Sequence, residues 1–182
     1  MATSLELKTN GPSVLILAGT KPDLSITSLV KSLGRSLVEL GASDVLLLDF
    51  SDSEVDSEVH AQSQLERILS CGSQLDDMFD QELPGLYILA SPSMSTAGPR
   101  PVGESVKAVF ENLRRRFRYV LIGTPAYGQN NSARLLARQA DGIILGIQQG
   151  QQGRAPLRQI QRDLKSDGSI SLGFILLNSP QK

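Results

Sequence analysis

The chain has 182 residues and a formal net charge of −1, with one cysteine and no tryptophan. That length fits a single domain, and the small net charge argues against a protein that binds nucleic acid through bulk electrostatics. One cysteine excludes an internal disulfide framework, and no apolar run approaches the roughly 18 residues of a membrane-spanning helix. Residues 1–10 lack the apolar core of a signal peptide, so we expect a cytoplasmic protein.

Six short runs of apolar residues predict the strands of the fold. They cover residues 14–18, 45–49, 86–90, 119–122, 142–147 and 172–177. Most of these runs are continuously apolar rather than alternating. A strand that is apolar on both faces is covered on both faces, which is typical of a parallel sheet between two layers of helices.

Helical patterns fill several of the intervals between the strands. Apolar residues recur with a helical period over residues 26–40, 102–113 and 157–164. Strands that alternate with helices predict an α/β fold with right-handed crossovers. We therefore expect a doubly wound, mostly parallel sheet of about six or more strands with helices on both faces, in one domain over residues 1–182.

Two stretches interrupt this alternation. Residues 50–83 are rich in Asp and Glu, and we predict a short helix there over 62–69 and a second one near 74–79. Residues 91–103 have the composition of a loop. Because this loop follows a predicted strand, it lies at the carboxyl edge of the sheet, where ligands bind in doubly wound folds.

The first strand, loop and helix have the arrangement of a phosphate-binding loop without its usual residues. That loop has the pattern G-x-x-x-x-G-K-[ST], in which glycine amides surround the phosphates, the lysine neutralises them and the hydroxyl binds magnesium. Counting back from Gly41, at the end of the predicted helix, the lysine position falls on Ile26 and the hydroxyl on Thr27. Pro22 removes an N–H donor, and Asp23 brings a negative charge to the place where a phosphate would bind.

The order and spacing of six blocks resemble one known family. The blocks are "SVLILAG", "VLLLDFSDS", "GLYILASPS", "RFRYVLIGTPA", "ARLLARQADGIILGIQQG" and "LGFILLN". They resemble the cytoplasmic domain of the bacterial tyrosine kinases of polysaccharide export, which are deviant-Walker ATPases related to MinD and ParA. The resemblance covers about residues 12–178 and implies a P-loop NTPase-like domain.

The resemblance implies a remnant of a nucleotide site at four positions. Lys21 matches the additional signature lysine of MinD-like members, and Thr27 matches the magnesium-binding hydroxyl. Asp49 matches the first aspartate after the second strand. Asn178 matches the asparagine that contacts adenine.

Other positions depart from the family, and they motivate a hypothesis of lost catalysis. Ile26 stands at the phosphate lysine, and Gly123 at the metal-organising Walker B aspartate. We therefore predict a pseudokinase or pseudo-ATPase with no catalytic residue, no metal site and no cofactor. The alternative is an active protein-tyrosine kinase, or a MinD- or ParA-like ATPase, that binds ATP and magnesium through a rebuilt phosphate site, with Lys21 replacing the lost lysine and Asp49 holding magnesium.

A cluster of arginines follows the second predicted helical pattern. It consists of Arg114, Arg115, Arg116 and Arg118. Cations at the end of a helix complement the helix dipole, which is a structural explanation. The functional alternative is an interaction patch for anionic lipid or for an acidic partner surface.

The resemblance also implies the kind of partner and the location. A non-catalytic relative would act in polysaccharide or exopolysaccharide biosynthesis and export, by docking on a membrane-anchored polysaccharide co-polymerase or on an active kinase subunit. It would be cytoplasmic, or peripheral at the inner membrane through that partner. No nucleic-acid partner is expected. A homo-oligomer is a further option, because the acidic segment 50–83 is opposite in sign to the arginine cluster.

Overall fold

A computed structural model of the chain describes residues 11, 13–21, 24, 26–50, 79–89, 103–124, 126–127, 131–149 and 154–177. These ranges contain seven strands and four helices. The strands are β1 (Ser13–Gly19), β2 (Val45–Asp49), β3 (Phe79–Leu83), β4 (Leu86–Leu89), β5 (Tyr119–Thr124), β6 (Gly142–Gln148) and β7 (Ser171–Leu177). The helices are α1 (Thr27–Glu39), α2 (Gly103–Arg116), α3 (Asn131–Gln139) and α4 (Arg154–Ser166).

All seven strands form one sheet in the order β3-β4-β2-β5-β1-β6-β7. Every neighbouring pair is parallel except β3 and β4, which are antiparallel. The interior strand β1 is fully buried between β5 and β6. The predicted doubly wound, mostly parallel α/β fold is therefore confirmed.

The core has two layers, one on each face of the sheet. On one face, helices α2, α3 and α4 contribute apolar side chains such as Phe110, Leu136 and Leu164. On the other face, α1 packs Leu29 and Val30 against the sheet. No helix within the described ranges is long and apolar enough to span a membrane.

The prediction near residues 74–79 was wrong where the structure describes it. Phe79 begins β3 rather than ending a helix. This strand buries Phe79 and exposes Asp80, Gln81 and Glu82, so it lacks the continuous apolar run of the central strands. Gly85, with φ 85°, lies in the short turn that reverses the chain into β4. The helix predicted over 62–69 lies outside the described residues.

The parallel strands bring their carboxyl ends to one edge of the sheet. At that edge β1 ends at Gly19, β2 at Asp49, β5 at Thr124 and β6 at Gln148. This edge contains the loop between β1 and α1, the "opening loop" (residues 20–26). The candidate site is described from this edge.

Candidate functional site

The start of the opening loop is held against β6. The backbone N–H and the hydroxyl of Thr20 both donate to the carbonyl oxygen of Gly146, each at 3.0 Å. The carbonyl oxygen of Lys21 accepts from the N–H of Leu24 at 3.3 Å. That same oxygen lies 3.0 Å from the place where a Cβ on Gly19 would stand. The chain therefore turns back over the end of β1, with a carbonyl rather than an amide against Gly19.

Ile26, at the predicted lysine position, is a core residue. Its side chain is 0% exposed and belongs to the apolar cluster under α1. Its Cδ1 lies 3.0 Å from the position of a Cβ on Gly146, so the absence of a side chain on Gly146 makes room for it. The side chain is directed into the α1 face of the sheet, where it contributes hydrophobic burial of about 1.5–3 kcal/mol.

The first turn of α1 begins directly at this residue. Ile26 is the N-cap, with helical angles φ −94° and ψ −18°, and its carbonyl accepts from the N–H of Val30 at 2.9 Å. The cap makes no side-chain hydrogen bond to the helix, and the first turn contains no acidic residue. Thr27 is half-buried at this helix start. At this helix start, the helix dipole is therefore favourable for an anion, and no side chain of the cap adds to it.

The carboxylate of Asp49 fills the space above Gly123. The two residues are paired across β2 and β5. A Cβ on Gly123 would lie 2.7 Å from Oδ1 of Asp49 and 2.9 Å from Cγ2 of Val30. The place where the resemblance expects a metal-organising aspartate is thus taken by a carboxylate from the neighbouring strand and by a methyl group of α1.

Three of the four predicted nucleotide-site residues lie at the carboxyl edge of the sheet. Lys21 and Thr27 flank the end of β1, and Asp49 ends β2 two strands away. Asn178 follows β7 and lies outside the described residues. A nucleotide-binding role for these four residues remains a prediction. Within the described ranges, no group of three or more His, Cys, Asp or Glu side chains is arranged to hold a metal ion.

The arginine cluster lies at the opposite edge, where β5 begins. The Nε and Nη2 atoms of Arg114 bind the carboxylate of Asp141 at 3.0–3.1 Å. The guanidinium of Arg116 lies 5.3 Å from the ring centre of Phe117, and that of Arg118 lies 5.5 Å from the ring centre of Tyr119. Arg115 is exposed. Structural contacts therefore account for three of the four arginines, and a binding role for the patch remains a prediction.

A polar cluster that the sequence analysis did not identify connects α3 to the turn before β7. The hydroxyl of Tyr127 donates to Oδ2 of Asp167 at 2.7 Å. Arg134 binds the same carboxylate through Nε at 2.8 Å and Nη2 at 2.7 Å. These donors lower the pKa of Asp167 to about 2, while burial and the Asp167 carboxylate raise the pKa of Tyr127. The partners lie 33–40 residues apart, so no local pattern signals the cluster.

The lowered pKa of Asp167 predicts a defined loss of stability in acid. The pKa of Asp167 is about 2 in the folded protein, against an ordinary value of 3.8 that we take for the unfolded chain. Ionised Asp167 therefore contributes its full stabilisation above about pH 4.5, and this contribution is lost as the pH falls towards 2. Arg134 is 42% exposed, so solvent screening reduces the contribution to about 1–2 kcal/mol. Urea unfolding of wild type and Asp167→Asn should show a stability difference that shrinks over this pH range. A difference that stays constant with pH would contradict the assignment.

No family model matches the chain. The tyrosine-protein kinase CpsD of Streptococcus agalactiae serotype III is 24% identical over 183 aligned positions, which cover 96% of this chain and 78% of that protein. The tyrosine-protein kinase CpsD of Streptococcus pneumoniae serotype 4 is 27% identical over 101 residues. That alignment covers 53% of this chain and 43% of the relative, so the match to this second protein spans less than half of its length.

Comparison with solved structures identifies the class of fold. A ParA family ATPase from Chlorobium tepidum superposes with a TM-score of 0.68 at 14% identity, over 96% of this chain and 77% of that one. The kinase domain of VpsO superposes with a TM-score of 0.70 at 23% identity, over 93% of this chain and 86% of that one. The chain thus has the ParA-like P-loop ATPase fold. Its resemblance to bacterial tyrosine kinase domains, predicted from the sequence, is confirmed.

Proposed function

We propose that this protein is a non-catalytic relative of the bacterial tyrosine kinases, and that it acts as a binding or regulatory partner in polysaccharide export. The observation that supports this proposal most strongly is the full burial of Ile26. At the position where the family has a lysine that grips phosphate, this chain has an apolar side chain packed into the core. The fold is retained, whereas position 26 carries an apolar side chain in place of a cation.

The energetic argument rests on what phosphoryl transfer requires. This reaction depends almost entirely on positioning and on neutralising the phosphate charge. Each buried charge-assisted hydrogen bond is worth about 1.5–3 kcal/mol. Loss of the lysine, of the glycine amides and of the metal carboxylate together removes on the order of 5–10 kcal/mol, allowing for non-additivity. The bare N-terminus of α1 offers an anion about 0.3–1 kcal/mol, which is far too little to compensate.

The surroundings of Asp49 support the same reading for magnesium. Magnesium prefers several oxygen ligands in near-octahedral geometry at about 2.0–2.1 Å. Asp49 is the single carboxylate at this edge among the three site residues that the structure describes, and the space above Gly123 is already occupied. Among the described residues at this edge, this arrangement disfavours a magnesium–triphosphate complex of the kind that the resemblance implies.

The partner follows from the resemblance and not from the site. A chain with the kinase fold and without the chemistry would keep the surfaces through which such domains assemble. We propose that it docks on a membrane-anchored polysaccharide co-polymerase or on an active kinase subunit. It would then be located in the cytoplasm, or at the inner face of the membrane through that partner.

Titration of Mg-ATP into the purified protein tests the loss of the site. We expect no saturable heat up to about 1 mM ATP, and a thermal shift below the roughly 2–4 °C that about 1 kcal/mol of ligand stabilisation would produce. ATP hydrolysis should be at background in wild type and in Lys21→Ala alike. The S. agalactiae CpsD kinase, assayed in the same way, is the positive control. A micromolar dissociation constant, or hydrolysis that Lys21→Ala abolishes, would instead favour an active enzyme with a rebuilt site.

A further inference from the structure

The two outer strands of the sheet have opposite character. At one edge, β3 exposes Asp80, Gln81 and Glu82, and Glu82 forms an ion pair with Arg35 at 2.7 Å. At the other edge, β7 reads SLGFILL and contains no charged residue. Charges on an edge strand prevent it from pairing with another chain, whereas a long, uncharged, apolar edge favours such pairing. Charges therefore protect the β3 edge, whereas β7 itself carries none.

Several large apolar side chains on and beside β7 are exposed to solvent. Leu176 is 68% exposed, Ile170 59%, Phe174 40% and Leu172 39%. Phe174 and Leu176 lie opposite Leu145 and Ile147 of β6, so they share one face of the sheet. Phe174 and Leu176 therefore form a small exposed apolar surface on this face of the edge.

Leu172 lies on the other face. A Cβ on Gly142 would stand 2.5 Å from its Cγ, and Gly142 pairs with Leu15 of β1, which belongs to the core layer on the α1 face. The pairing of β6 with β7 shifts between Ile143 and Ile144, and Gly173 beside the shift has φ 144°. Glycine adopts this angle without strain, so the irregularity turns the strand over at this point. The regular part of the edge therefore begins at Phe174.

The backbone of β7 has the polarity that a further strand requires. The carbonyl of Leu177 accepts from the N–H of Gln149 at 2.9 Å, so Leu177 directs its backbone groups towards the β6 side. Successive residues of a strand alternate in this direction, so Phe174 and Leu176 direct theirs outward. Among the described strands, none pairs with this side of β7.

We propose that a second copy of this chain pairs with β7 in antiparallel orientation, with Ile175 of both copies at the two-fold axis. In this register Phe174 of each copy lies opposite Leu176 of the other. These two residues exchange backbone hydrogen bonds across the interface, as opposite residues of a hydrogen-bonded antiparallel pair do. Aromatic–aliphatic cross-strand pairs of this kind are favourable. The two sheets would become one continuous sheet of fourteen strands.

Self-pairing is favoured over a different partner by the symmetry of the strand. A two-fold interface brings the same surface of each copy together, so any charge on it would meet a like charge. The strand β7 has none, and its two exposed side chains on the shared face complement each other in both copies. Pairing of two short strands buries less surface than the roughly 1,200–2,000 Å² of a stable specific interface, so we expect a weak interface. The dimer is therefore dissociable, with a dissociation constant on the order of 1–100 µM.

Sedimentation equilibrium of the whole chain tests the dimer. Wild type should be a reversible dimer, and Leu176→Lys should weaken dimerisation at least about 100-fold, because it places a cation against Phe174 at two symmetric positions. The matched control is Leu40→Lys, since Leu40 is also a large apolar residue, 84% exposed, at the end of α1; it should leave the dimer intact. A wild type that stays monomeric at about 500 µM, or a dimer that Leu176→Lys leaves unchanged, would overturn the proposal.

Cross-linking tests the register independently of affinity. With Cys71 replaced by serine, Ile175→Cys should form a covalent dimer on mild oxidation, because opposite residues of a non-hydrogen-bonded pair have Cα atoms about 4.5 Å apart. Leu176→Cys is the control, since two copies of residue 176 would lie more than about 7 Å apart in this register. Absence of the covalent dimer at position 175 would refute the register. Neither experiment involves nucleotide, so their outcomes are separate from those of the ATP titration.

Discussion

Replacement of Ile26 by lysine should destabilise the protein by about 3–5 kcal/mol and should not create ATP binding. The side chain is 0% exposed and contacts the α1 core layer over Gly146. A lysine there loses the apolar contacts and buries an ammonium group without an anionic partner, which costs several kcal/mol or lowers its pKa until it is neutral. The substitution that restores the family's residue in sequence would therefore not restore its function.

Urea unfolding and Mg-ATP titration of the same samples would measure both effects. The controls for Ile26→Lys are Ile26→Met, which retains volume and apolarity and should cost less than about 1.5 kcal/mol, and Ile26→Ala, which removes contacts without adding charge and should cost about 2–5 kcal/mol. If Ile26→Lys were as stable as Ile26→Met and bound Mg-ATP with micromolar affinity, the opening loop would be a functional phosphate site that lacks one side chain. The proposed function would then be wrong.

The second large effect is expected for Gly123→Asp, which returns a carboxylate to the metal-organising position. The new Cβ would stand 2.7 Å from Oδ1 of Asp49 and 2.9 Å from Cγ2 of Val30. Steric overlap in a packed core typically costs about 1–3 kcal/mol, and two adjacent carboxylates repel each other. We expect a total destabilisation of about 2–4 kcal/mol at neutral pH.

Two further variants, Gly123→Ala and the double variant with Asp49→Ala, test the contributions of steric overlap and of repulsion between the carboxylates. Gly123→Ala introduces the Cβ overlap without the charge, so it should cost less than Gly123→Asp. The double variant Asp49→Ala/Gly123→Asp should recover at least about 1 kcal/mol relative to additivity, because the two residues are in contact. Additive single effects would mean that Asp49 does not fill the space above Gly123.

The sequence predicted those parts of the fold that depend on continuous apolar runs. The six predicted runs all correspond to strands, and the interior strands β1, β5 and β6 are apolar at most positions because both of their faces are buried. The strand β3 was missed because an edge strand buries only one side, and its Asp80 and Glu82 suggested a solvated segment. The helix α3 was not identified as a helix of its own, although its "ARLLARQ" block entered the resemblance.

The candidate site could be predicted as a set of residues but not as a geometry. Counting along the chain placed Ile26 at the lysine position, and the structure adds that its side chain lies in the core. The filling of the space above Gly123 by Asp49 could not be anticipated, because it depends on the pairing of strands more than 70 residues apart. The cluster around Asp167 could not be predicted for the same reason, because its residues are far apart in the sequence and only the folded chain brings them together.

One consequence follows from the two ends of Tyr127. Its amide donates to the carbonyl of Gly19 at 2.9 Å, where β1 ends, and its hydroxyl binds Asp167, in the turn that leads into β7. Tyr127 therefore connects the end of β1, through its backbone, to the turn between α4 and β7, through its side chain. Because Tyr127 bonds to both segments, we expect local unfolding of the turn between α4 and β7 to weaken the hydrogen bond at Gly19, so that the two regions open cooperatively.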